Sequence, residues 1–358
     1  MRIAIIGVNP AVRAFLNALA SDGVNFEELT YATTPLTSNR VSRLNEELLE
    51  DIIKESDLVV TSLPKDFSRR AFLISKKLCK NFISTVQVIE DPGELSFNEC
   101  SSIFIPYLSV VPGLSNIIAG RMMSLMEELL ELNIYFGELS KESREAECTA
   151  IISSIEEFLS VCSTKAKAIV NGVPIDLDPL SSVSSIEVPR AGSLWAVRVD
   201  RLGTLTYSVR NIARSASIST FRLVCFNVVE NLRKLKALLL AKPSSSELFL
   251  KKELGVELGK FIGIDHEFLL YVKSRGTIEG LIKEVEYFIK ATYDCLNKIS
   301  ASHSLEGLTL YAVVRALLID KLWNVRGVVL PEFIGINEGV FTYVLAKLVE
   351  KGVEVRVL

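Results

Sequence analysis

The chain opens with an almost unbroken apolar run, Arg2-Ile3-Ala4-Ile5-Ile6-Gly7-Val8. This is the pattern of a strand buried on both faces of a parallel sheet. Asn9 then suits a helix N-cap and Pro10 the first helical position. Val12, Phe15, Leu16 and Leu19 recur at helical spacing, and Gly23 lies past the end. The same grammar repeats with a strand at 29–32, an amphipathic helix at 44–54 and a strand at 57–63 that stops at Pro64. A helix at 67–79 and a strand at 81–89 follow. This alternation predicts an α/β, doubly wound parallel sheet with right-handed crossovers.

Beyond residue 112 the pattern changes. A helix is predicted at 114–130 and a strand at 132–138. Several short strands then fill 167–209, separated by Asn171-Gly172, Asp178-Pro179, Pro189-Arg190-Ala191-Gly192 and Leu202-Gly203. Turn chemistry at that frequency predicts a second, α+β domain with a mixed or antiparallel sheet. Helices are predicted at 224–240 and 278–298, with a strand at 268–273 between them. The tail reads as a helix at 309–322, the segment 327–332, a helix at 337–350 and a strand at 353–358. The expected division is 1–112, 113–305 and 306–358.

Composition narrows the function. The chain has 358 residues, 49% hydrophobic and 23% charged, enough for two ordinary cores. A net charge of -3 supplies no field to draw in nucleic acid or an anionic membrane. The uncharged stretch 100–120 contains Pro106, Pro112, Gly113 and Asn116, which suit a buried strand, loop and helix better than a membrane span. The short apolar opening does not read as a signal peptide. The cysteines at 79, 100, 148, 162, 225 and 295 form no C-x-x-C pair, so reduced thiols in a cytoplasmic protein are expected, Cys148 among them as an inert one. The only two histidines are His266 and His303. Both are expected at the surface, and neither a metal site nor a Ser-His-Asp triad is expected. The Leu235–Leu240 run is expected in a core or a subunit interface.

The first strand-to-helix turn is where a dinucleotide would rest its diphosphate. The full fingerprint is G-x-G-x-x-G. Here it reads Gly7-Val8-Asn9-Pro10-Ala11-Val12, so Asn9 and Val12 replace two glycines and Pro10 removes an N–H donor. A capped helix after a buried strand explains the same residues without a ligand. The place of the ribose-binding acid holds Thr33 and Thr34. Arg40 and Arg43 just beyond can meet a 2′-phosphate, which favours NADP over NAD; a solvated helix face is the alternative reading.

Val110-Val111-Pro112-Gly113-Leu114-Ser115-Asn116 is the most distinctive segment, a Pro-Gly turn opening a helix at the expected domain junction. Together with the strand Val59 to Pro64, it resembles the saccharopine dehydrogenase (saccharopine reductase) family, in particular its archaeal lysine-dehydrogenase-like members. The resemblance continues through Tyr135-Phe136-Gly137-Glu138-Leu139, Lys167-Ala168-Ile169-Val170-Asn171-Gly172, Asp178-Pro179-Leu180-Ser181, Thr220-Phe221-Arg222 and Gly327-Val328-Val329-Leu330-Pro331-Glu332. It implies a Rossmann-type first domain, a substrate and dimerisation domain whose sheet joins two copies, and a C-terminal segment that returns to the first domain. It also implies NAD(P)-linked chemistry at the C–N bond of an amino acid such as lysine or saccharopine. On this reading the cofactor lies over Gly7 to Val12 and beside Ser62, Leu63 and Pro64. The substrate meets Pro112, Gly113, Ser115, Asn116 and Arg222, the last as a carboxylate clamp.

The departures from the family fall on chemistry. Val111 stands where the family has an acid or a small residue. Ser153-Ser154 replaces its Trp-Ser pair, and Ser160-Val161 an acidic pair. The family's T-L-R-Y-P-G-H run appears as Thr220-Phe221-Arg222-Leu223-Val224-Cys225-Phe226, which keeps the arginine and loses the histidine. Two functions therefore stand open: an NAD(P)-dependent amino-acid oxidoreductase with no nameable acid–base residue, and a catalytically silent homologue that keeps the scaffold for binding or regulation.

Overall fold

In the computed structural model the described residues are 1–31, 46–89, 93–94, 100–140, 150–151, 164–213, 215–241 and 266–358. They form two compact units. The first comprises Met1–Ser124, Gly203–Ser208 and His303–Gly352; the second comprises Leu125–Leu202, Val209–Ser302 and Val353–Leu358. The first unit thus runs past the boundary expected at 112 and takes in the helix that follows.

The first unit is built on strands β1 (Arg2–Ile6), β2 (Glu27–Tyr31), β3 (Leu58–Thr61), β4 (Asn81–Ser84) and β5 (Ile103–Ile105). With the short strand Gly327–Val328 they make a six-stranded sheet in the order Gly327–Val328, β5, β4, β3, β1, β2. Every pairing is parallel. Helices α1 (Pro10–Ser21), α2 (Glu46–Glu55) and α3 (Lys65–Lys77) are its crossovers. Because β1 is flanked by β2 on one side and β3 on the other, strand order reverses at β1, and the crevice at the carboxyl ends there is where ligands bind in such sheets. Ala4, Ile6, Val59, Phe72, Phe82 and Phe104 form one core. The Phe72 ring meets Phe82 at 5.4 Å and the edge of Phe104 at 6.2 Å.

Helix α4 (Leu114–Leu125) ends earlier than predicted and is buried nearly all round. It joins the first unit because two glycines let backbones touch. A Cβ on Gly120 would lie 2.0 Å from the Glu332 carbonyl oxygen, and one on Gly335 only 1.8 Å from that of Ile117. The helix Pro331–Ile336 is therefore seated directly on α4. The helix predicted at 309–322 begins earlier, as Ala301–Val314, and continues as the wider π-type turns Arg315–Ile319.

One expectation is overturned in this unit. Cys79 and Cys100 are disulfide-bonded, with Cα atoms 5.5 Å apart. The bond joins the end of the α3 turn to the segment before β5. The pair lies 21 positions apart in sequence, so no local spacing announced it. Cys225 is also disulfide-bonded, and Cys295 is free and exposed. Cys148 and Cys162 lie outside the described residues.

The second unit contains β6 (Glu128–Ser140), β7 (Ala150–Ile151), β8 (Ala166–Val170), β9 (Val173–Leu177), β10 (Ser184–Val188), β11 (Gly192–Arg198), β12 (Ser217–Val224), β13 (His266–Ile278) and β14 (Leu281–Thr292). Its ten-stranded sheet runs β10, β11, β12, β6, β13, β14 and then Glu354–Val357, with β7, β8 and β9 branching from this path. The β12–β6 pairing is parallel and the others are antiparallel, giving the mixed sheet expected. The helix predicted at 278–298 is absent. That stretch is β14, the return arm of a long hairpin with β13. Glu279 and Gly280 turn it with φ of 56° and 71°, two left-handed residues whose twist matches paired strands. Leu194, Leu223, Leu269, Tyr271 and Phe288 lie in its core, and Tyr135 stacks between Phe221 and Tyr271 at 5.0 and 5.8 Å. Leu205–Ile212 is helical where only strands and turns were expected. Among the described residues no helix is long and apolar enough to cross a membrane.

Candidate functional site

The turn after β1 is built around Gly7 and the capped start of α1, with its donors partly spent. Gly7 has φ +89°, and a Cβ there would lie 2.6 Å from Leu63 Cδ2 and 3.0 Å from the Ser62 carbonyl oxygen. Only glycine fits under that loop. Asn9 caps α1: the Val12 N–H donates to Asn9 Oδ1 at 2.8 Å, and the Arg13 N–H to the Asn9 carbonyl at 3.2 Å. Pro10 has no N–H, so Ala11 keeps the one first-turn amide without a partner inside the helix. Val12 and Ala11 are fully buried. Close backbone approach here comes from another helix, because a Cβ on Gly307 would lie 2.2 Å from the Ala11 carbonyl oxygen. Val8 and Pro10 remain exposed at the mouth of the turn.

From this turn a chain of polar side chains crosses the carboxyl edge of the sheet. Asn9, after β1, donates through Nδ2 to Ser62 Oγ, after β3. Thr85 Oγ1, after β4, donates to the same Ser62 oxygen at 3.1 Å. Thr85 also hydrogen-bonds the Glu306 carboxyl, and Ser109, beyond β5, donates to Glu306 Oε2 at 2.9 Å. Four adjacent strands therefore each deliver one neutral polar group to a network that ends on a carboxyl. Burial pushes Glu306 up to about 7, against the smaller lowering effect of its two hydroxyl partners. A carboxyl in that range exchanges protons at neutral pH.

The Pro112 segment builds a second carboxyl site in the same unit. Val111-Pro112 is a cis peptide, and Gly113 has φ +143° with its missing Cβ 2.0 Å from the Ser109 carbonyl oxygen. The Leu114 and Ser115 N–H groups donate to Ser109 and Val110 carbonyls at 2.9 and 3.0 Å, which fixes the loop onto the start of α4. Ser115 and Asn116 are wholly buried. Ser115 Oγ donates to Asn116 Oδ1, and Asn116 Nδ2 donates to Glu332 Oε1 at 2.9 Å and to Thr204 Oγ1 at 3.1 Å. Thr204 Oγ1 meets both Glu332 oxygens, at 2.8 and 3.1 Å. Glu332 is completely buried, and burial raises it to about 7 over the opposing hydrogen bonds.

The remaining sequence candidates are dispersed. Thr33, Thr34, Arg40 and Arg43, and the pairs Ser153-Ser154 and Ser160-Val161, lie outside the described residues. Arg222 belongs to the second unit, where it is 9% exposed. Its strand β12 runs between β11 and β6, so it is an interior residue of the sheet. His266 is not at the surface either. It is 2% exposed, with Nε2 3.0 Å from Glu138 Oε1. The Ser302 N–H and hydroxyl also donate to Glu138, and this pairing holds Glu138 below its usual range despite burial. Among the described residues no group of three or more His, Cys, Asp or Glu side chains is placed to hold a metal ion.

Thr85, Ser109, Thr204, Glu306 and Glu332 were missed as site residues. One signal was available for Glu306: it is the only charged residue between Ser304 and Val314, a lone acid in an apolar helix. Glu332 closes a segment already singled out, but nothing in its spacing announced its partners.

No protein-family model matches the sequence, and no curated protein does. Among solved structures, apo saccharopine dehydrogenase (L-Glu forming) from Saccharomyces cerevisiae aligns with a TM-score of 0.75 at 11% identity, over 100% of this chain and 99% of that one. DAP dehydrogenase from C. glutamicum, in complex with DAP, aligns at 0.45 and 11% identity, covering 98% and 99% of the two chains. An engineered D-amino acid dehydrogenase aligns at 0.46 and 10%, covering 95% and 96%. The first of these alignments shows that the described residues have a saccharopine-dehydrogenase-like fold.

Proposed function

We propose that the protein is an NAD(P)-linked oxidoreductase of the saccharopine dehydrogenase family, acting on the C–N bond of an amino acid of the lysine or saccharopine type. The observation that carries this reading is the polar network at the carboxyl edge of the parallel sheet, which runs from the glycine turn after β1 to a proton-exchanging carboxyl. A sheet edge of this kind is where α/β folds bind ligands, and a capped helix needs none of the groups beyond Asn9.

The residues present fit a dinucleotide at this turn in a reduced form. Gly7, Val8, Asn9, Pro10, Ala11 and Val12 would shape the diphosphate site, with Val8 and Pro10 as its exposed surface. Ser62, Leu63 and Pro64 would border it. When bound, the dinucleotide supplies or accepts the hydride. The protein positions it, excludes water and handles the proton. Pro112, Gly113, Ser115 and Asn116 would act on the substrate by holding the Ser109 loop in shape. A role for Arg222 on a substrate carboxylate rests on the family resemblance alone. The same reading carries a homodimer through the sheet of the second unit, which light scattering would register as twice 39.6 kDa.

Titration of the purified protein with NADPH and with NADH tests the proposal by calorimetry. Saturable binding of either is the expected result, NADPH the tighter if Arg40 reaches a 2′-phosphate. Absence of saturation up to millimolar concentration overturns it. A second reading, the silent homologue, draws on Asn9 and Leu63, which take up space and donors at the turn. Substrate-specific turnover with lysine, saccharopine or another diamino acid would remove that reading.

A further inference from the structure

Two carboxyls in the first unit exchange protons near neutrality, and their surroundings give them different work. Glu332 has no exposed surface, and its oxygens are taken by Thr204, Asn116 and Ser208. It is sealed inside the unit. Glu306 is less enclosed as a residue and stands at the end of a line of groups drawn from four consecutive strand ends. Its hydrogen-bond partners, Ser109 and Thr85, are neutral hydroxyls that can donate to a carboxylate or accept from a carboxylic acid. No cation in that network fixes it in the charged form.

We propose that Glu306 is the acid–base residue of this site, the side chain that carries the proton gained or lost by the substrate nitrogen. Ser109 and Thr85 position its carboxyl. This rests on the oxidoreductase reading above. In the reducing direction the C=N carbon takes the hydride, and the nitrogen takes the proton of the Glu306 carboxyl. The O–H bond breaks, an N–H bond forms, and solvent restores the proton to the carboxylate. In the oxidising direction the C–H bond breaks and its hydride would pass to the oxidised dinucleotide, the amine N–H bond breaks as its electron pair forms C=N, and the carboxylate receives that proton. Among the ionisable groups on the elements that meet Glu306, His303 lies one turn earlier on its own helix and Tyr311 further along it, and Arg13 stands on α1, whose helix meets Gly307.

Three measurements on the full chain test the assignment. The first is an infrared carboxyl titration of wild type and Glu306→Gln. The difference between them is expected to show a protonated carboxyl lost with a midpoint near 7. The second is NADPH titration at pH 6, in which Glu306→Gln is expected to bind within about threefold of wild type, because a neutral side chain replaces a carboxyl that is mostly protonated there. The third is turnover with saccharopine and lysine as probes. A general acid–base group contributes roughly 10²–10⁴-fold, so Glu306→Gln should lose that much kcat/KM together with the pH limb near 7, and Glu306→Asp should recover part of it. If Glu306→Gln binds NADPH and keeps turnover within about tenfold with the same pH profile, the Glu306 assignment falls and the oxidoreductase reading stands. A wild-type protein that binds NADPH but turns over neither probe leaves the infrared result to decide. A carboxyl protonated at pH 6 then supports the assignment, and one already ionised there overturns it. No NADPH binding by wild type removes the oxidoreductase reading itself.

Discussion

Glu332→Gln should make the protein more stable at mildly alkaline pH while leaving it almost unchanged under acid conditions. The carboxyl moves from an ordinary value of 4.5 to about 7 on folding, because burial excludes water and every partner is neutral. The native state therefore holds a proton that the unfolded chain has released. Its stabilising contribution is complete below 4.5 and is lost as pH rises through about 7. At roughly 1.4 kcal/mol per pH unit, the loss totals about 3 kcal/mol. Glutamine keeps the shape and the neutral state. Urea unfolding between about pH 5 and pH 8 would read this through the midpoint and slope. The variant should match wild type to about 1 kcal/mol at the acid end and exceed it by about 2–3 kcal/mol at the alkaline end. Glu306 shifts in the same direction, so the single variant should keep part of the pH slope and the Glu306→Gln, Glu332→Gln double variant should lose nearly all of it. A Glu332→Gln protein that is weaker at pH 8, or that keeps the full wild-type slope, would refute the reasoning.

Other substitutions probe separate joints. Gly335→Ala sets a methyl group 1.8 Å from the Ile117 carbonyl oxygen, where backbone cannot yield, and should cost about 3 kcal/mol or more by urea unfolding. Gly339→Ala, with only Asn337 Oδ1 at 3.6 Å, should be neutral or slightly stabilising, and equal losses in the two would contradict the close-contact argument. His266→Ala should cost about 3–5 kcal/mol by stranding the buried Glu138 carboxylate, whereas combining it with Glu138→Gln should restore part of that loss; a simple sum of the single losses would show that the pair is not coupled. Asn9→Gly frees the Val12 amide at little cost to the cap and should tighten NADPH binding about tenfold by calorimetry, the value of one added bond to a charged group. Unchanged affinity would mean that the diphosphate does not rest on this turn.

The first half of the chain was legible because local and tertiary demands agree. The continuous apolar strands and the Asn9–Pro10 helix start appear where the pattern placed them, within a few residues. The second half was less so. The stretch 278–298 has enough apolar residues for either period, and what decided in favour of a strand was the Glu279-Gly280 turn together with pairing to β13. Glycine roles were legible where they are local, at Gly7, Gly23, Gly113 and the turn glycines Gly172, Gly192 and Gly203. Those of Gly120, Gly307 and Gly335 depend on partners up to 296 positions away in sequence, as with Gly307 and Ala11. The disulfide between Cys79 and Cys100 is of the same kind, being set by the spacing of β4 and β5 and not by any motif. Around the candidate site, sequence reading singled out the turn and the Pro-Gly segment but not the two acids, since a carboxyl's environment is set by what desolvates it and not by its neighbours in the chain.

Asn9 connects these observations. As a replacement for a fingerprint glycine it looks like a loss, because its side chain takes the Val12 amide that a phosphate would use. Yet its other end donates to Ser62, and through Ser62 and Thr85 the turn is joined to Glu306. Glycine at this position could make no such link. A dinucleotide arriving at the turn would compete for the Asn9 side chain, and any rotation of that amide withdraws a donor from Ser62. Ser62 could then turn its hydroxyl toward Thr85, and Thr85 its own toward the Glu306 carboxylate, which lowers the carboxyl's proton affinity. Cofactor occupancy and the protonation of Glu306 would thus be linked through three neutral side chains. Proton release on NADPH binding, measured by calorimetry in buffers of different ionisation enthalpy near pH 7, should be present in wild type and lost in Asn9→Gly. Equal release in both proteins would disprove the link while leaving the acid–base role of Glu306 intact.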